Sequence, residues 1–269
     1  MLTYAIPCLF GLESVLSGEI KRMGGQNIQT TDGKVTFEGD FSMVIRANIY
    51  LRTAERVLIV LGSFPARTFT ELFDGTVKLP FEDFIGSMDA FPVKGWSLNS
   101  QLHSVPDCQS IVKKAAVKRL GEMYRKSWFE ESGPARQIQF SILKDQATIM
   151  LDTSGAPLHK RGYRKNANAA PIKETLAAGI VDLARVHSDS VVCDPFCGSG
   201  TILIEAAFKA LRIAPGMHRR FLAEKWAQIP ESVWKEARSE AVARIQRDAT
   251  FTAIGSDIDE AAIALTEEN

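Results

Sequence analysis

The stretch Asp194-Pro195-Phe196-Cys197-Gly198-Ser199-Gly200-Thr201 (DPFCGSGT) decides how this chain is read. It follows a β-branched run from Ser190 to Cys193 and precedes an apolar helical run from Thr201 to Ala210 (TILIEAAFKA). Strand, glycine turn and helix in that order let a nucleoside cofactor lie over the carboxyl ends of parallel strands. Gly198 and Gly200 remove side chains, so the backbone can approach a ligand closely. Amides at the helix start can meet the carboxylate of a bound amino-acid group, and Asp194 at the strand end is placed to accept from a ligand amine. A phosphate-binding P-loop needs Gly-Lys-Ser/Thr, and the octet has no lysine; the dinucleotide pattern GxGxxG needs glycine at 203, which is Leu203. A GxG between strand and helix is by itself equally a structural turn. The full octet is far more specific.

Downstream, Phe251 to Gly255 reads as a strand ending in Ser256-Asp257-Ile258-Asp259, and Ala261 to Asn269 begins another helix. An acid after the second strand of such a unit is placed to bind ribose. Asp257 lies 57 residues past Gly200, where about 20 is usual, so Arg212 to Arg247 is expected to be a helical insertion. Asp259 is a weaker candidate for the same role, and Asp257 could instead cap the following helix. Upstream, the basic stretch His159-Lys160-Arg161-Gly162-Tyr163-Arg164-Lys165 leads to Ala170-Pro171 and a helix expected from Ile172 to Arg185, with Pro171 in its first turn.

The first 65 residues read β-α-β-β-α-β, the split βαβ, ferredoxin-like order. Strands are expected at Leu2 to Leu9, Asn27 to Thr30, Lys34 to Glu38 and Arg56 to Leu61. Asp32-Gly33 is a two-residue hairpin signal. Helical apolar spacing marks Leu12 to Met23 and Phe41 to Leu51. A second unit, 66–158, has short helices at Phe69 to Phe73 and Phe81 to Ile85, a strand at Val93 to Leu102, and an amphipathic helix at Ser110 to Trp128. The strands Gln137 to Leu143 and Ala147 to Leu151 close it.

DPFCGSGT followed by ILIEAA resembles motif I of the Rossmann-like methyltransferases that modify exocyclic amines, in particular the THUMP-containing 23S rRNA guanine-N2 methyltransferase group. LHKRGYR, APIKETLAAGIV and GSDID (Gly255 to Asp259) are similar to the same family, as is the N-terminal half. The resemblance implies an α+β N-terminal half, a ferredoxin-like domain at 1–65 and a THUMP RNA-binding domain at 66–158. The N-terminal part of an incomplete α/β Rossmann-like methyltransferase domain follows at 159–269. It implies S-adenosylmethionine as cofactor, with Asp194 and the loop residues Phe196, Cys197, Gly198 and Gly200 at its methionine part. Thr201 opens the helix there, and Asp257 accepts from the ribose hydroxyls. Enzymes of this group hold the target amine with an Asn/Asp-Pro-Pro-Tyr/Phe loop. No Pro-Pro pair occurs here, so no catalytic residue is assigned and the chain is expected to be a truncated, inactive portion.

Net charge is zero, so nucleic-acid binding must rest on local charge. Lys113, Lys114, Lys118, Arg119, Arg125 and Lys126 lie largely off the apolar stripe of the amphipathic helix. Lys160, Arg161, Arg164, Lys165 and Lys173 add a second patch. Alone these equally describe a solvated helix face and a charged linker; beside the THUMP resemblance, Lys113, Lys114, Lys118, Arg161 and Arg164 become the candidate RNA contacts. RNA, by the resemblance 23S rRNA, is thus the expected partner. Tyr163 is either a base-stacking ring or a core aromatic. Trp96, Trp128, Trp226 and Trp234 read as packing residues, and Cys193 as strand core. The four cysteines form no CxxC pair or metal cluster with the scattered histidines, and no apolar run is long enough to span a bilayer. A cytoplasmic protein without metal or membrane is expected. Two further readings share these features: an adenine-N6 DNA methyltransferase, and an RNA-binding module without catalysis.

Overall fold

The computed structural model describes residues 1–164 and 171–269. Lys165, assigned above to the basic stretch, and Ala170, which precedes the expected helix, lie outside the described residues. The chain opens with β1 (Leu2–Pro7), α1 (Glu13–Arg22), β2 (Gln26–Thr31), β3 (Lys34–Gly39), α2 (Met43–Tyr50) and β4 (Leu58–Pro65). Val15, Leu16 and Ile20 fall on one face of α1, and Val44, Ile45, Ala47 and Ile49 on α2, and all are buried against the strands. Gly33 takes φ +68 in the hairpin between β2 and β3, the backbone geometry its Asp-Gly turn requires.

The second unit comprises α3 (Phe69–Val77), β5 (Val93–Leu98), α4 (Val105–Tyr124), β6 (Ile138–Leu143) and β7 (Gln146–Asp152). A reciprocal Thr68–Glu71 capping box starts α3. Phe81–Asp83 is a single 3-10 turn. The long helix α4 begins and ends earlier than Ser110 to Trp128. Pro106 sits in its first turn and fixes φ for helix entry there. Arg125, at φ +54, breaks it, and the Lys126 amide folds back onto the Gly121 carbonyl. Trp128 therefore lies beyond the helix and is 77% exposed. Trp96, on edge strand β5, is 43% exposed, so neither is the packing residue expected.

These two units share one sheet. β4 pairs antiparallel with β7, giving the order β2-β3-β1-β4-β7-β6-β5, so the last strand of the first unit is also hydrogen-bonded to the last strand of the second. A buried polar knot ties the join. Asn48 Nδ2 donates to Thr153 Oγ1 (2.8 Å), Ser154 Oγ donates to Asn48 Oδ1 (2.6 Å), and Thr153 Oγ1 donates to the Val57 carbonyl (2.7 Å). Each buried donor and acceptor there finds a partner, as low-dielectric surroundings demand.

The remaining elements are α5 (Glu174–Leu183), β8 (Val191–Asp194), α6 (Thr201–Ala210), α7 (Glu231–Ala243), β9 (Thr252–Gly255) and α8 (Glu260–Glu268). Pro171 precedes α5 rather than sitting in its first turn, because Lys173 is the N-cap. β8 and β9 are parallel, and one face of this pair is covered through Val192 packing near Val181, Val186, Ala206 and Ala210. Period-two alternation sends Val191 and Cys193 to the other, exposed face, which corrects the expectation that Cys193 is core.

The insertion between α6 and β9 carries less helix than expected: α7 and a 3-10 turn at Leu222–Lys225. It packs away from β8 and β9, onto the N-terminal core. The Gly216 amide donates to the Ile49 carbonyl (2.9 Å) and the Ala223 amide to that of Thr153 (3.0 Å). A Cβ at Gly216 would stand 2.4 Å from the Asn48 carbonyl oxygen, so only glycine permits this approach. Phe221 stacks on Trp234, and Trp226 donates to the Ala135 carbonyl (3.3 Å) while Arg136 lies 4.6 Å above its ring. Trp226 and Trp234 are each 1% exposed, the packing role expected for them. Truncating a buried tryptophan costs about 3–5 kcal/mol. Trp226→Ala is therefore expected to lower the urea unfolding midpoint by a corresponding amount; an unchanged midpoint would contradict docking of the insertion on the head.

Candidate functional site

Register fixes the site. Asp194 pairs with Gly255 at the ends of β8 and β9, so the glycine loop and the acidic tail leave the sheet side by side. Backbone bonding continues past the strands, with the Ser256 amide on the Asp194 carbonyl and the Cys197 amide on the Ser256 carbonyl, each 3.0 Å. The Gly198 amide then donates to Asp257 Oδ2 at 2.9 Å. Gly198 and Asp257 are thus neighbours at the carboxyl end of the sheet. Asp194 Oδ1 accepts from the Phe196 amide (3.1 Å), and the Phe196 ring is 83% exposed above the loop.

Gly200 caps α6 at φ +75, and no side chain caps that helix. Its first-turn amides can receive a carboxylate. A Cβ at residue 200 would also meet Thr266 Cγ2 of α8 at 2.7 Å, so left-handed backbone and close packing both demand glycine. Cys197 is buried beneath the loop, its Sγ 3.8 Å from Thr266 Oγ1. Ser199 and Thr201 are buried with their hydroxyls 3.4 Å apart. The donor set suits S-adenosylmethionine: uncapped helix amides for a carboxylate, Asp194 for an ammonium, and Asp257 for a diol. Asp259, not Asp257, caps α8, because its Oδ1 accepts from the Ala261 amide (3.0 Å). The cap reading of Asp257 therefore falls.

The basic stretch before α5 has a different place from the one expected. Arg161 is 4% exposed, so it is not a phosphate contact. Its Nε faces Glu205 Oε1 of α6 at 3.3 Å, its Nη1 donates to the Leu158 carbonyl (2.8 Å), and its Nη2 donates to the Arg52 carbonyl. Burying a guanidinium is tolerable only with such partners. Tyr163 settles as a core aromatic, edge-on to Phe208 with its hydroxyl on Glu205 Oε1 (3.2 Å). Arg164 donates from Nη2 to Thr201 Oγ1 (2.6 Å) and the Ile172 carbonyl (3.0 Å), and Nη1 lies 3.4 Å from Glu174. It braces the glycine loop from behind instead of facing solvent. Burial raises the Glu205 carboxyl, and the two arginines near it, Arg161 and Arg52, oppose that rise. Glu19 accepts from the Arg52 amide and the Thr53 hydroxyl (2.6 Å each), and neither it nor Arg52 nor Glu205 was a candidate in the sequence. An acid inside the apolar run TILIEAAFKA was the available signal for the last, and the first two carried none.

On α4, Lys113 is bound to Glu131 and lies 3.5 Å from the Phe91 ring centroid, while Arg119 pairs with Glu82. Lys114, Lys118, Arg125 and Lys126 are exposed. The solvent-facing charge of this helix is narrower than the sequence count suggests. Among the described residues no group of three or more His, Cys, Asp or Glu could hold a metal ion, and no helix is long and apolar enough to cross a membrane.

A glycine loop and an acid at the tips of adjacent parallel strands, set behind a ferredoxin-like and THUMP head, define a Rossmann-like methyltransferase. Comparison with known proteins agrees. The RlmL ferredoxin-like domain matches residues 3–58, the THUMP domain 66–152, and the RMKL-like methyltransferase domain 161–269. Putative RNA methyltransferase YpsC of Bacillus subtilis (strain 168) is 46% identical over 96% of this chain and 68% of its own length. Ribosomal RNA large subunit methyltransferase K/L of Psychromonas ingrahamii is 35% identical over 100% of this chain, which spans only 36% of that protein. Among solved structures, a Listeria monocytogenes protein described as a predicted N6-adenine-specific DNA methylase is 47% identical (TM-score 0.94; 99% of this chain, 70% of that one). SMU.472 in complex with SAH is 39% identical (TM-score 0.94; 99% of this chain, 71% of that one). The chain belongs to the RMKL-like methyltransferase family, and its cofactor is S-adenosylmethionine.

The Asp257 carboxyl is held below the usual aspartate range by the amides of Asp259 and Gly198 that it accepts. A folded value below the unfolded one means the bond supports the loop above about pH 3.9 and is lost as pH falls through the folded value. In NMR titration, the Gly198 and Asp259 amide resonances should move together with a midpoint below that value, and not move in Asp257→Asn. A midpoint at or above it would contradict the contact.

Proposed function

We propose that this protein transfers a methyl group to the exocyclic N2 of a guanine in 23S rRNA, with the head gripping RNA and the glycine loop holding the methyl donor. The reading rests on the Gly198–Asp257 contact, which brings the glycine loop and a carboxylate together at the carboxyl ends of two parallel strands. S-adenosylmethionine supplies an electrophilic methyl carbon bonded to a sulfonium sulfur. Asp194 accepts from its ammonium group, the first-turn amides of α6 receive its carboxylate, and Asp257 receives its ribose hydroxyls. Phe196, Cys197, Gly198, Gly200 and Thr201 shape that bed. Arg164 keeps Thr201 in place. The methyl donor bound there would give its methyl carbon to the amine nitrogen, with S-adenosylhomocysteine and the amine proton as the other products.

Rate depends on aligning that amine and stabilising its developing charge. The Asn/Asp-Pro-Pro-Tyr element that does so in enzymes of this type is not among these 269 residues, so no residue here is assigned to hold the amine. Lys114 and Lys118 on α4 are the exposed cations proposed to meet phosphate. Such contacts orient RNA and leave selection of the base to the methyltransferase domain. A cytoplasmic location goes with this substrate.

The Listeria relative's description favours a second reading, adenine-N6 in DNA. The THUMP match and the names of the two curated relatives support RNA instead. Calorimetric titration of S-adenosylmethionine is expected to give one site, weakened at least tenfold by Asp194→Ala and by Asp257→Ala, which at tenfold is about 1.4 kcal/mol each. Competition between 23S rRNA and duplex DNA should favour the RNA. Wild-type affinity in both variants would remove the cofactor bed, and preference for the duplex would select the second reading.

A further inference from the structure

A large open cleft of about 960 Å³ lies where the C-terminal ends of α1, α2, α5, α6 and α7 converge. It sits far from the glycine loop: α6 begins at the loop with Thr201 and reaches the cleft at Lys209 and Arg212, about 15 Å away for ten residues of helix. Six cations line it, Arg22, Arg46, Arg52, Lys209, Arg212 and Arg244, against three acids, Glu19, Asp182 and Asp248. None of these belongs to α4, so the cleft is separate from the lysines proposed above.

Convergent helix C-termini attract cations without any ligand, because their free carbonyls carry partial negative charge. That accounts for part of the set. Arg52 donates from Nη2 to the Phe208 and Ile213 carbonyls (3.1 and 2.8 Å), and Lys209 donates to Asp182 Oδ1 (2.8 Å). Arg244 lies 3.9 Å from Glu240, both exposed, and 5.2 Å from the Tyr50 ring. Arg22 and Arg212 also stand at the ends of α1 and α6, yet they and Arg46 are exposed and have no carboxylate partner or side-chain acceptor among the described residues. Arg46 is in the middle of α2, where no helix end calls for it. Two donors in the cleft wall, Arg52 Nη1 and the Tyr50 hydroxyl, are buried without a hydrogen-bond partner. A buried unpaired donor is costly and calls for an acceptor.

Unpaired guanidiniums around two orphaned buried donors describe a receptor for anionic oxygens. Resting on the RNA reading above, we infer that this cleft binds phosphate groups of the substrate RNA. It is a second contact, built jointly by the ferredoxin-like domain, the insertion and the methyltransferase domain. Arg46, Arg212 and Arg22 meet the phosphate charge, and Arg52 Nη1 and the Tyr50 hydroxyl donate to its oxygens. RNA gripped both here and on α4 spans head and methyltransferase domain, so its position relative to the methyl donor is set by two anchors.

Binding of a 23S rRNA transcript to the full chain, measured over a range of salt, tests this. Arg46→Ala/Arg212→Ala removes exposed, unpartnered side chains, and its unfolding midpoint should match wild type. Its affinity is expected to fall on the order of tenfold at low salt, with the log–log salt slope reduced by roughly 1–2. Lys114→Glu/Lys118→Glu should weaken binding separately, and all four changes together should weaken it further. A wild-type chain that does not bind the transcript overturns the RNA reading and this inference together. Binding by wild type with an unchanged slope and affinity in Arg46→Ala/Arg212→Ala overturns the cleft alone. So does equal RNA affinity combined with inorganic phosphate raising the unfolding midpoint of wild type but not of that variant, which would mark a small-anion site.

Discussion

The parallel pairing of β8 with β9 is the constraint on which the rest depends. Because Asp194 and Gly255 stand opposite each other, the loop after one strand and the acid after the other must emerge together. A slip of one residue would turn each strand's side chains to the opposite face. Two further backbone bonds and the Gly198–Asp257 contact carry the register into the loops. The neighbouring positions of the loop and the acid are therefore set by main-chain hydrogen bonds together with the bond from the Gly198 amide to the Asp257 carboxylate.

Around that pair the molecule commits charge to rigidity. Arg52 reaches from the head to the Phe208 and Ile213 carbonyls, on or just beyond α6, the helix that starts at the glycine loop, and Arg161 links Glu205 of that helix to the Arg52 carbonyl. Buried pairs of this kind contribute little net stability, yet removing one partner leaves an uncompensated charge. Their effect here is positional. The end of α6 away from the cofactor loop is pinned to the ferredoxin-like domain, while Arg164 braces its beginning through Thr201. The insertion adds a third tie, since its aromatic residues complete the core of the head and not that of the methyltransferase domain.

Most of the architecture was legible in the sequence, for local reasons. The Asp32-Gly33 turn, the stripes of α1 and α2 and the octet at 194–201 each encode their structure within a few residues, and all appear where expected. What failed was non-local. Nothing around Leu58 signals that β4 takes β7 on its second edge, so two units read as separate share a sheet. Basic residues were counted as free because their partners are distant in sequence: Arg161 with Glu205, Arg119 with Glu82, Lys113 with Glu131. Of the five residues named for RNA, only Lys114 and Lys118 remain exposed. The loop residues proposed for the cofactor lie together, since a strand–loop–helix unit fixes their geometry locally.

A crystal structure of this chain with S-adenosylhomocysteine tests the central claim most directly. The ribose hydroxyls are expected within hydrogen-bond distance of the Asp257 carboxylate, and the amino-acid carboxylate at the uncapped start of α6. A nucleoside bound elsewhere, or one that leaves Asp257 on Gly198 alone with its ribose facing solvent, would contradict it.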